Sequence, residues 1–192
     1  MTAQFTEVDA AHDVVEFLIG QHMQIRDLFT EVETSTGQAR RDAFDRLVTL
    51  LAVHETAEEQ VIHPLVRAGV DGGGDVVADR LSEERAAKEM LTKLEEFGPD
   101  AAEFPSLFAE LRISVLKHAH NEEAYEFRYL RREIPAAQLR PLVDLIRAAE
   151  AVAPTHPHPG VESATANTVA GPVVSLFDRT KDMVRKAMSN NR

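Results

Sequence analysis

Apolar residues recur along this chain every three or four positions, the repeat that places side chains on one face of an α-helix. Breaks at Gly37, in the glycine-rich turn 69–74, at Gly98-Pro99 and at Pro135 divide this pattern into five stretches. The predicted helices cover approximately Asp9 to Glu33, Ala39 to Ala68, Asp75 to Phe97, Pro105 to the residue before Pro135, and Ala136 to Ala151. Four long helices joined by short turns predict an all-α fold, an antiparallel up-down four-helix bundle with a short fifth helix.

The C-terminal part has a different composition. Proline and glycine are concentrated in residues 154–172, which is typical of an extended linker. We therefore expect a bundle with its fifth helix over residues 1–152, a linker over 153–172 and an amphipathic helix or tail over 173–192. The tail is expected to dock on the bundle or to reach a second subunit, so both monomer and homodimer stay open.

Composition removes several classes of function. The chain has 192 residues and no cysteine, which excludes disulfides, thiolate zinc sites and iron–sulfur clusters. Its net charge of 21 − 32 = −11 argues against a nucleic-acid partner. No apolar run reaches the length of about 18 residues that a membrane span requires, and no signal peptide is evident, so a cytoplasmic location is the default expectation.

Ionisable residues interrupt the apolar stripes in the middle of three predicted helices. His22 lies in the first stripe, and the second and fourth stripes both carry a His followed four positions later by a Glu: His54 with Glu58, and His118 with Glu122. This spacing places both side chains of a pair on one helix face. Two facing pairs offer imidazole nitrogens and bridging carboxylates to one small volume, which is the ligand set of an iron pair.

The distances of these residues from the connecting turns indicate that they lie at a similar level along the bundle axis. His22 precedes Gly37 by 15 residues and His54 follows it by 17, a mismatch of less than one helical turn. Any one of these histidines alone would be more typical of an ordinary core residue. Two inward pairs and a third inward His at matching heights favour a metal site.

Two further residues are candidates for the same site. Glu84 on the third helix is either a sixth ligand or the partner of Lys88 one turn later. Tyr125 follows His118 by seven residues, so helical periodicity returns it to the ligand face, where it is a candidate catalytic residue or a core tyrosine.

His63 follows His54 by nine residues and is expected to face away. His156 and His158 form a pair in the linker and are better interpreted as linker residues than as a metal site.

The order His22, then His54-xxx-Glu58, then His118-xxx-Glu122 resembles the hemerythrin-like (HHE cation-binding) family, over about Val8 to Glu133. The C-terminal region resembles actinobacterial members. The resemblance implies an oxygen-bridged, non-haem pair of iron ions, with the three histidines as terminal ligands and the two glutamates as bridging or chelating ligands. Where the family usually has a His on the third helix, this chain has Glu84.

The resemblance further implies O2, H2O2 or NO as small ligands. Because the predicted site is rich in carboxylates, we hypothesise peroxide decomposition of the catalase or peroxidase type, in defence against oxidative stress. Binding or sensing of O2 or NO, with output through the fifth helix and the tail, is the alternative. Iron storage without turnover, or a bundle with no metal role, is the third hypothesis.

Overall fold

The structure of the protein, a computed structural model, describes residues 12–157 and contains only helices and connecting turns over that range. The helices are α1 (Val14–Thr34), α2 (Gly37–Gly69), α3 (Gly73–Phe97), α4 (Phe104–Asn121, Glu122–Phe127 and Arg128–Glu133 in succession) and α5 (Ala136–Glu150). The predicted all-α bundle with a short fifth helix is confirmed. The tail 173–192 and most of the predicted linker lie outside the described residues.

The start of α1 differs from the prediction. Asp13 has extended backbone angles, and its side chain accepts a hydrogen bond from the backbone N–H of Glu16. This is the geometry of an N-cap, which satisfies one of the free N–H groups at the beginning of a helix. The helix therefore begins at Val14, rather than at Asp9.

Packing of the helices follows the up-down order. Helix α2 packs against α1 and α3, α3 packs against α4, and α4 closes the ring against α1. The fifth helix packs along α2 and α1. Helix α2 is consequently covered on several sides, and almost every residue between Glu55 and Val66 is buried.

The apolar core is divided into two clusters. One cluster includes Phe29, Leu47 and Phe108, near the turn that joins α1 to α2. The other includes Leu18, Ile62 and residues of α5, near the opposite end of the bundle. Buried ionisable residues of α1, α2, α3 and α4 lie between these two clusters along the sequence of each helix. The bundle thus contains a polar layer inside an otherwise apolar interior.

A π-helical turn over Glu122–Phe127 changes the face that α4 presents. The wider turn accommodates one extra residue, so the side chains after it are displaced around the helix. Tyr125 is 66% exposed, whereas Glu126 is 1% exposed and lies in the interior. The expectation that Tyr125 returns to the ligand face is wrong, because the regular periodicity on which it rested stops at this turn.

Among residues 12–157, no helix has both the length and the apolar character needed to cross a membrane.

We predict that Gly73→Ala destabilises the fold and that Gly74→Ala does not. A Cβ on Gly73 would lie 2.3 Å from the backbone oxygen of Val66, whereas one on Gly74 would have no atom within 4 Å. Urea denaturation should show a loss of about 1–3 kcal/mol for Gly73→Ala, as for other overpacked sites. The matched Gly74→Ala variant should be unchanged or more stable, since alanine favours helix. Equal effects of the two variants would contradict the close packing of the α2–α3 turn.

Candidate metal centre

Three helices supply the side chains of the polar layer. All are buried, and they comprise His22 on α1, His54, Glu55 and Glu58 on α2, and His118 and Glu122 on α4. The i,i+4 spacing of the two predicted pairs places His54 above Glu58 and His118 above Glu122 on the inward faces of their helices. The five residues singled out by the sequence pattern are therefore brought together in the structure.

The three imidazoles present the same nitrogen to the carboxylates. His22 Nε2 lies 3.4 Å from Glu122 Oε2, and His54 Nε2 lies 3.3 Å from Glu58 Oε2. His118 Nε2 lies 3.2 Å from Glu122 Oε1 and 3.4 Å from Glu55 Oε2. Protein nitrogens and oxygens bind transition metals at about 2.0–2.2 Å, so two ligands of one ion are separated by about 3.0–3.5 Å. The observed separations suit atoms that share a cation.

The hydrogen-bonding state of these atoms supports the same conclusion. Both carboxylate oxygens of Glu58 and of Glu122 are buried without a hydrogen-bond partner, as are Nε2 of His22 and of His118 and Oε2 of Glu55. Unpaired buried polar atoms cost free energy, and a buried carboxylate costs more unless a cation neutralises it. The residues present therefore fit bound metal ions.

The outer ring nitrogens fix the orientation of the imidazoles. His22 Nδ1 lies 2.9 Å from Glu123 Oε1, His54 Nδ1 lies 2.9 Å from Gln21 Oε1, and His118 Nδ1 lies 3.2 Å from Glu83 Oε2. Each acceptor is a carboxylate or amide oxygen, so Nδ1 must donate. With Nδ1 as the donor, Nε2 is directed inward and can offer its lone pair to a metal once its proton is lost, as in most histidines that bind metals.

Two groups of donors meet in this layer. His22, His54, Glu58 and Glu122 place one donor atom each within 4.8 Å of one another, and so do Glu55, Glu58 and His118. Glu58 belongs to both groups. Glu122 also spans them, because one of its oxygens is near His22 and the other near His118. Carboxylates in this arrangement can bridge two neighbouring cations.

Burial and charge set the protonation of the layer. Burial lowers the pKa of His54 to about 4, which leaves its imidazole neutral at neutral pH. Burial also disfavours charge on His22, but the negative charges of Glu122 and Glu123 raise its pKa to about 9. Burial and the neighbouring charges of Glu122 and Glu55 hold the pKa of Glu58 well above its usual range. Metal-free protein thus retains protons at positions that cations would occupy.

The candidate Glu84 is buried but lies outside the two groups just described. Its Oε1 is 3.6 Å from His63 Nε2, and its Oε2 is 3.5 Å from Lys88 Nζ. The pairing of Glu84 with Lys88, one of the two interpretations of the sequence, is therefore present. The role of Glu84 as a cation ligand stays a proposal.

Sequence reasoning placed His63 incorrectly. His63 is 3% exposed, although its position on α2 is half a turn away from His54. His63 Nε2 lies 3.6 Å from Glu84 Oε1 of α3 and 3.9 Å from Glu126 Oε2 of α4, so a residue that points away from His54 is covered by these two helices. Glu55 and Glu126 were also missed. Glu55 adjoins His54, which helical periodicity alone gives no reason to select, and Glu126 is turned inward by the π-helical turn.

The described start of the linker lies against the bundle. His156 Nδ1 is 2.8 Å from Glu95 Oε1 of α3, and Pro154, His156 and Pro157 help to line a cavity of about 30 Å³. His158 lies outside the described residues. The boundary between bundle and linker at residues 152 and 153 stays a prediction.

An all-α bundle whose interior holds a layer of histidines and carboxylates defines the class of metal-binding four-helix bundles. Comparison with known proteins makes the assignment specific. The family model for the hemerythrin HHE cation-binding domain matches residues 13–130, and the chain belongs to that family. The resemblance inferred from His22, His54, Glu58, His118 and Glu122 is confirmed at the level of the family.

Individual proteins are similar to this chain to different degrees. An uncharacterised hemerythrin-like protein of Schizosaccharomyces pombe is 26% identical over 144 residues, which cover 74% of this chain and 71% of the relative. A protein of Nostoc described as a DNA nickase is 28% identical over 130 residues, which are 67% of this chain but only 36% of that protein. The crystal structure of a hemerythrin HHE domain protein from Mycobacterium kansasii has the same fold, with a TM-score of 0.61 at 17% identity, over 91% of this chain and 98% of that one.

We predict that Gln21→Ala weakens metal binding without removing a ligand. Gln21 accepts the hydrogen bond from His54 Nδ1 and donates to Glu150 Oε1 of α5, so it connects the imidazole to the fifth helix. Loss of such an outer partner typically costs 10- to 100-fold in affinity. Competition of Zn²⁺ with a chromophoric chelator measures the change. The exposed Gln38→Ala is the control, and equal affinities for both variants would contradict the orienting role of Gln21.

Proposed function

We propose that the bundle binds two iron ions side by side in the polar layer. His22 and His54 would hold one ion, His118 and Glu55 the other, and Glu58 and Glu122 would lie between them. The position of the Glu122 carboxylate carries this proposal, since its two oxygens lie 3.4 and 3.2 Å from the Nε2 atoms of His22 and His118. A carboxylate that faces a different imidazole with each oxygen is suited to bridge two cations.

We propose further that the site decomposes peroxide. Bound iron supplies a redox centre and a Lewis acid for a small oxygen ligand. In the net reaction one H2O2 gives up two electrons and two protons and leaves as O2. A second H2O2 accepts them, its O–O bond breaks, and it leaves as two water molecules.

The donor set favours this chemistry over reversible carriage of O2. The layer offers three imidazoles together with the carboxylates of Glu55, Glu58 and Glu122, so oxygen donors are at least as numerous as nitrogen donors. Carboxylates are hard anionic ligands, which stabilise the more highly charged ferric state. An O2 carrier must have its iron in the ferrous state again after each release of O2. Turnover of peroxide does not require a ferrous resting state.

The dimensions of the nearby cavity support a small substrate. The cavity of about 30 Å³ is lined on its polar side by Glu55, Glu84 and Lys88. That volume is enough for a water molecule or a ligand of similar size. Apolar residues complete the wall and restrict water around the site, and they include Leu51, Leu91, Leu111 and Val115.

The cavity wall contains a cationic side chain, Lys88. Lys88 Nζ lies 2.5 Å from Glu59 Oε1 and 3.5 Å from Glu84 Oε2, so the ammonium group is held at the wall by two carboxylates. A ligand in the cavity would find a hydrogen-bond donor in the Lys88 ammonium group, whose pKa, despite burial, is raised by the nearby carboxylates of Glu84 and Glu59. On the far side of the layer, the Phe127 ring stacks on His22 with centroids 5.5 Å apart and limits movement of that imidazole.

The number of iron ions tests the binding part of the proposal. Protein loaded anaerobically with Fe(II) and freed of excess metal should retain about two ions in the polar layer, and His54→Ala should retain fewer. His120→Ala, which removes an exposed histidine of α4, is the matched control and should bind as wild type does. Elemental analysis gives the ratio. Equal iron in His54→Ala and wild type would contradict the assignment of His54.

The release of O2 tests the chemical part. Iron-loaded wild type and His120→Ala should evolve O2 when H2O2 is added, and His54→Ala should evolve little, because His54 would no longer hold its ion. An oxygen electrode measures the rate. If iron-loaded wild type evolves O2 no faster than His54→Ala does, the proposal of peroxide decomposition is refuted. The proposal of the iron site is not affected by that result.

Binding or sensing of O2 or NO is a second candidate, favoured by the position of residues 154–157. This segment lines the same cavity as Glu55 and Glu84 and is tied to α3 through His156 and Glu95. A ligand that enters the cavity would therefore contact the beginning of the C-terminal region. Reversible spectral change on deoxygenation, with no O2 evolved from peroxide, would favour this candidate over turnover.

A further inference from the structure

A second cluster of ionisable side chains adjoins the polar layer on the side of the α5 end of the bundle. It consists of His63 on α2, Glu84 on α3 and Glu126 on α4, each at most 3% exposed. Neither His63 nor Glu126 was expected in the interior, and the two-ion proposal uses none of the three. Donor atoms of His63, Glu122 and Glu126 lie within 4.8 Å of one another, so the cluster adjoins the bridging carboxylate.

The distances within the cluster are too long for hydrogen bonds. His63 Nε2 lies 3.6 Å from Glu84 Oε1 and 3.9 Å from Glu126 Oε2. All the carboxylate oxygens of Glu84 and Glu126 and both ring nitrogens of His63 are buried without a hydrogen-bond partner. Ionisable groups held this close together, yet without hydrogen bonds, fit the corners of a coordination shell better than an ion-pair network.

The neighbouring cations do not satisfy these carboxylates. Lys88 Nζ is 3.5 Å from Glu84 Oε2 and has its closer contact with Glu59. Arg80 Nε lies 3.2 Å from Glu83 Oε2, on the side where Glu83 supports His118. Oε1 of Glu84 and Oε2 of Glu126 lie beside His63. The imidazole of His63 and the carboxylates of Glu122 and Glu126 make a set of N and O donors suited to a divalent transition metal.

We propose that His63, Glu122 and Glu126, with Glu84 beside His63, bind a further divalent transition-metal ion next to the two proposed iron positions. The site takes divalent ions such as Zn²⁺ or Mn²⁺. An Fe²⁺ ion bound there leaves when excess metal is removed, so the iron that is retained counts the main layer. Its existence does not depend on how many ions occupy the main layer, because it uses a separate histidine on α2.

This site holds its ion more weakly than the main layer does. The Nδ1 atoms of His22, His54 and His118 each have an oxygen partner, whereas Nδ1 of His63 has none. An imidazole without an outer partner is oriented less firmly and is a weaker ligand. Its ion should therefore exchange first, which suits a position that passes metal to or from the main layer.

Zinc is a suitable probe because it is redox-inert and accepts both imidazole and carboxylate. Crystals of the zinc-loaded full-length protein should show an anomalous peak between His63, Glu122 and Glu126, separate from the peaks beside His22, His54 and His118. Peaks in the main layer with none beside His63 would overturn the proposal. Absence of peaks in the main layer would instead count against the two-ion proposal, so the two failures are distinguishable.

Solution measurements give an independent test with a conservative variant. After equilibrium dialysis, His63→Gln should bind about one zinc ion fewer per chain than wild type, and His120→Gln should match wild type. Stepwise dialysis against a weak chelator should remove this ion first from wild type, and the first step should be missing in His63→Gln. Circular dichroism checks that the variant is folded. Equal zinc content in folded His63→Gln and wild type would refute the site.

Discussion

Neutralisation of buried carboxylates is the constraint on which this structure depends. Within residues 12–157, Glu55, Glu58, Glu84, Glu122 and Glu126 are all buried between two apolar clusters. Each ionised carboxylate costs several kcal/mol to remove from water unless opposite charge compensates it. The ion pairs of Lys88 and Arg80 are with Glu59, Glu84 and Glu83, and not with Glu58 or Glu122. Cations bound in the layer would supply the compensating charge, and protons retained by Glu58 and His22 replace them in the metal-free state.

The rest of the fold can be understood as support for this layer. The hydrogen bonds from Nδ1 to Gln21, Glu83 and Glu123 turn three imidazoles inward. The fifth helix is coupled to the layer through the contact of Glu150 with Gln21. The π-helical turn after Asn121 interrupts α4 at the level of Glu122 and rotates Glu126 into the interior. A distortion of this kind at a functional site is common, because it redirects a side chain without ending the helix.

Residues whose positions follow from regular helical spacing were predictable from the sequence. His54 with Glu58 and His118 with Glu122 each lie one regular turn apart, and their meeting with His22 follows from helix lengths and turn positions. Tyr125 was misplaced because a π-helical turn leaves no clear signature in apolar periodicity. His63 was misplaced because its burial depends on enclosure of α2 by several helices, which a helical wheel for one helix does not include. Glu55 and Gln21 depend on contacts between helices, so their roles required the structure.

Cations should stabilise the bundle by binding its buried carboxylates and imidazoles. Equilibrium urea unfolding of metal-free and Zn²⁺-loaded wild type, under otherwise identical conditions, tests it most directly. A ligand present at 100 times its dissociation constant stabilises a fold by about 2.7 kcal/mol, and tighter or multiple binding adds to this. The free energy of unfolding of the loaded protein should be higher by at least that amount. Identical unfolding free energies at saturating metal would contradict it.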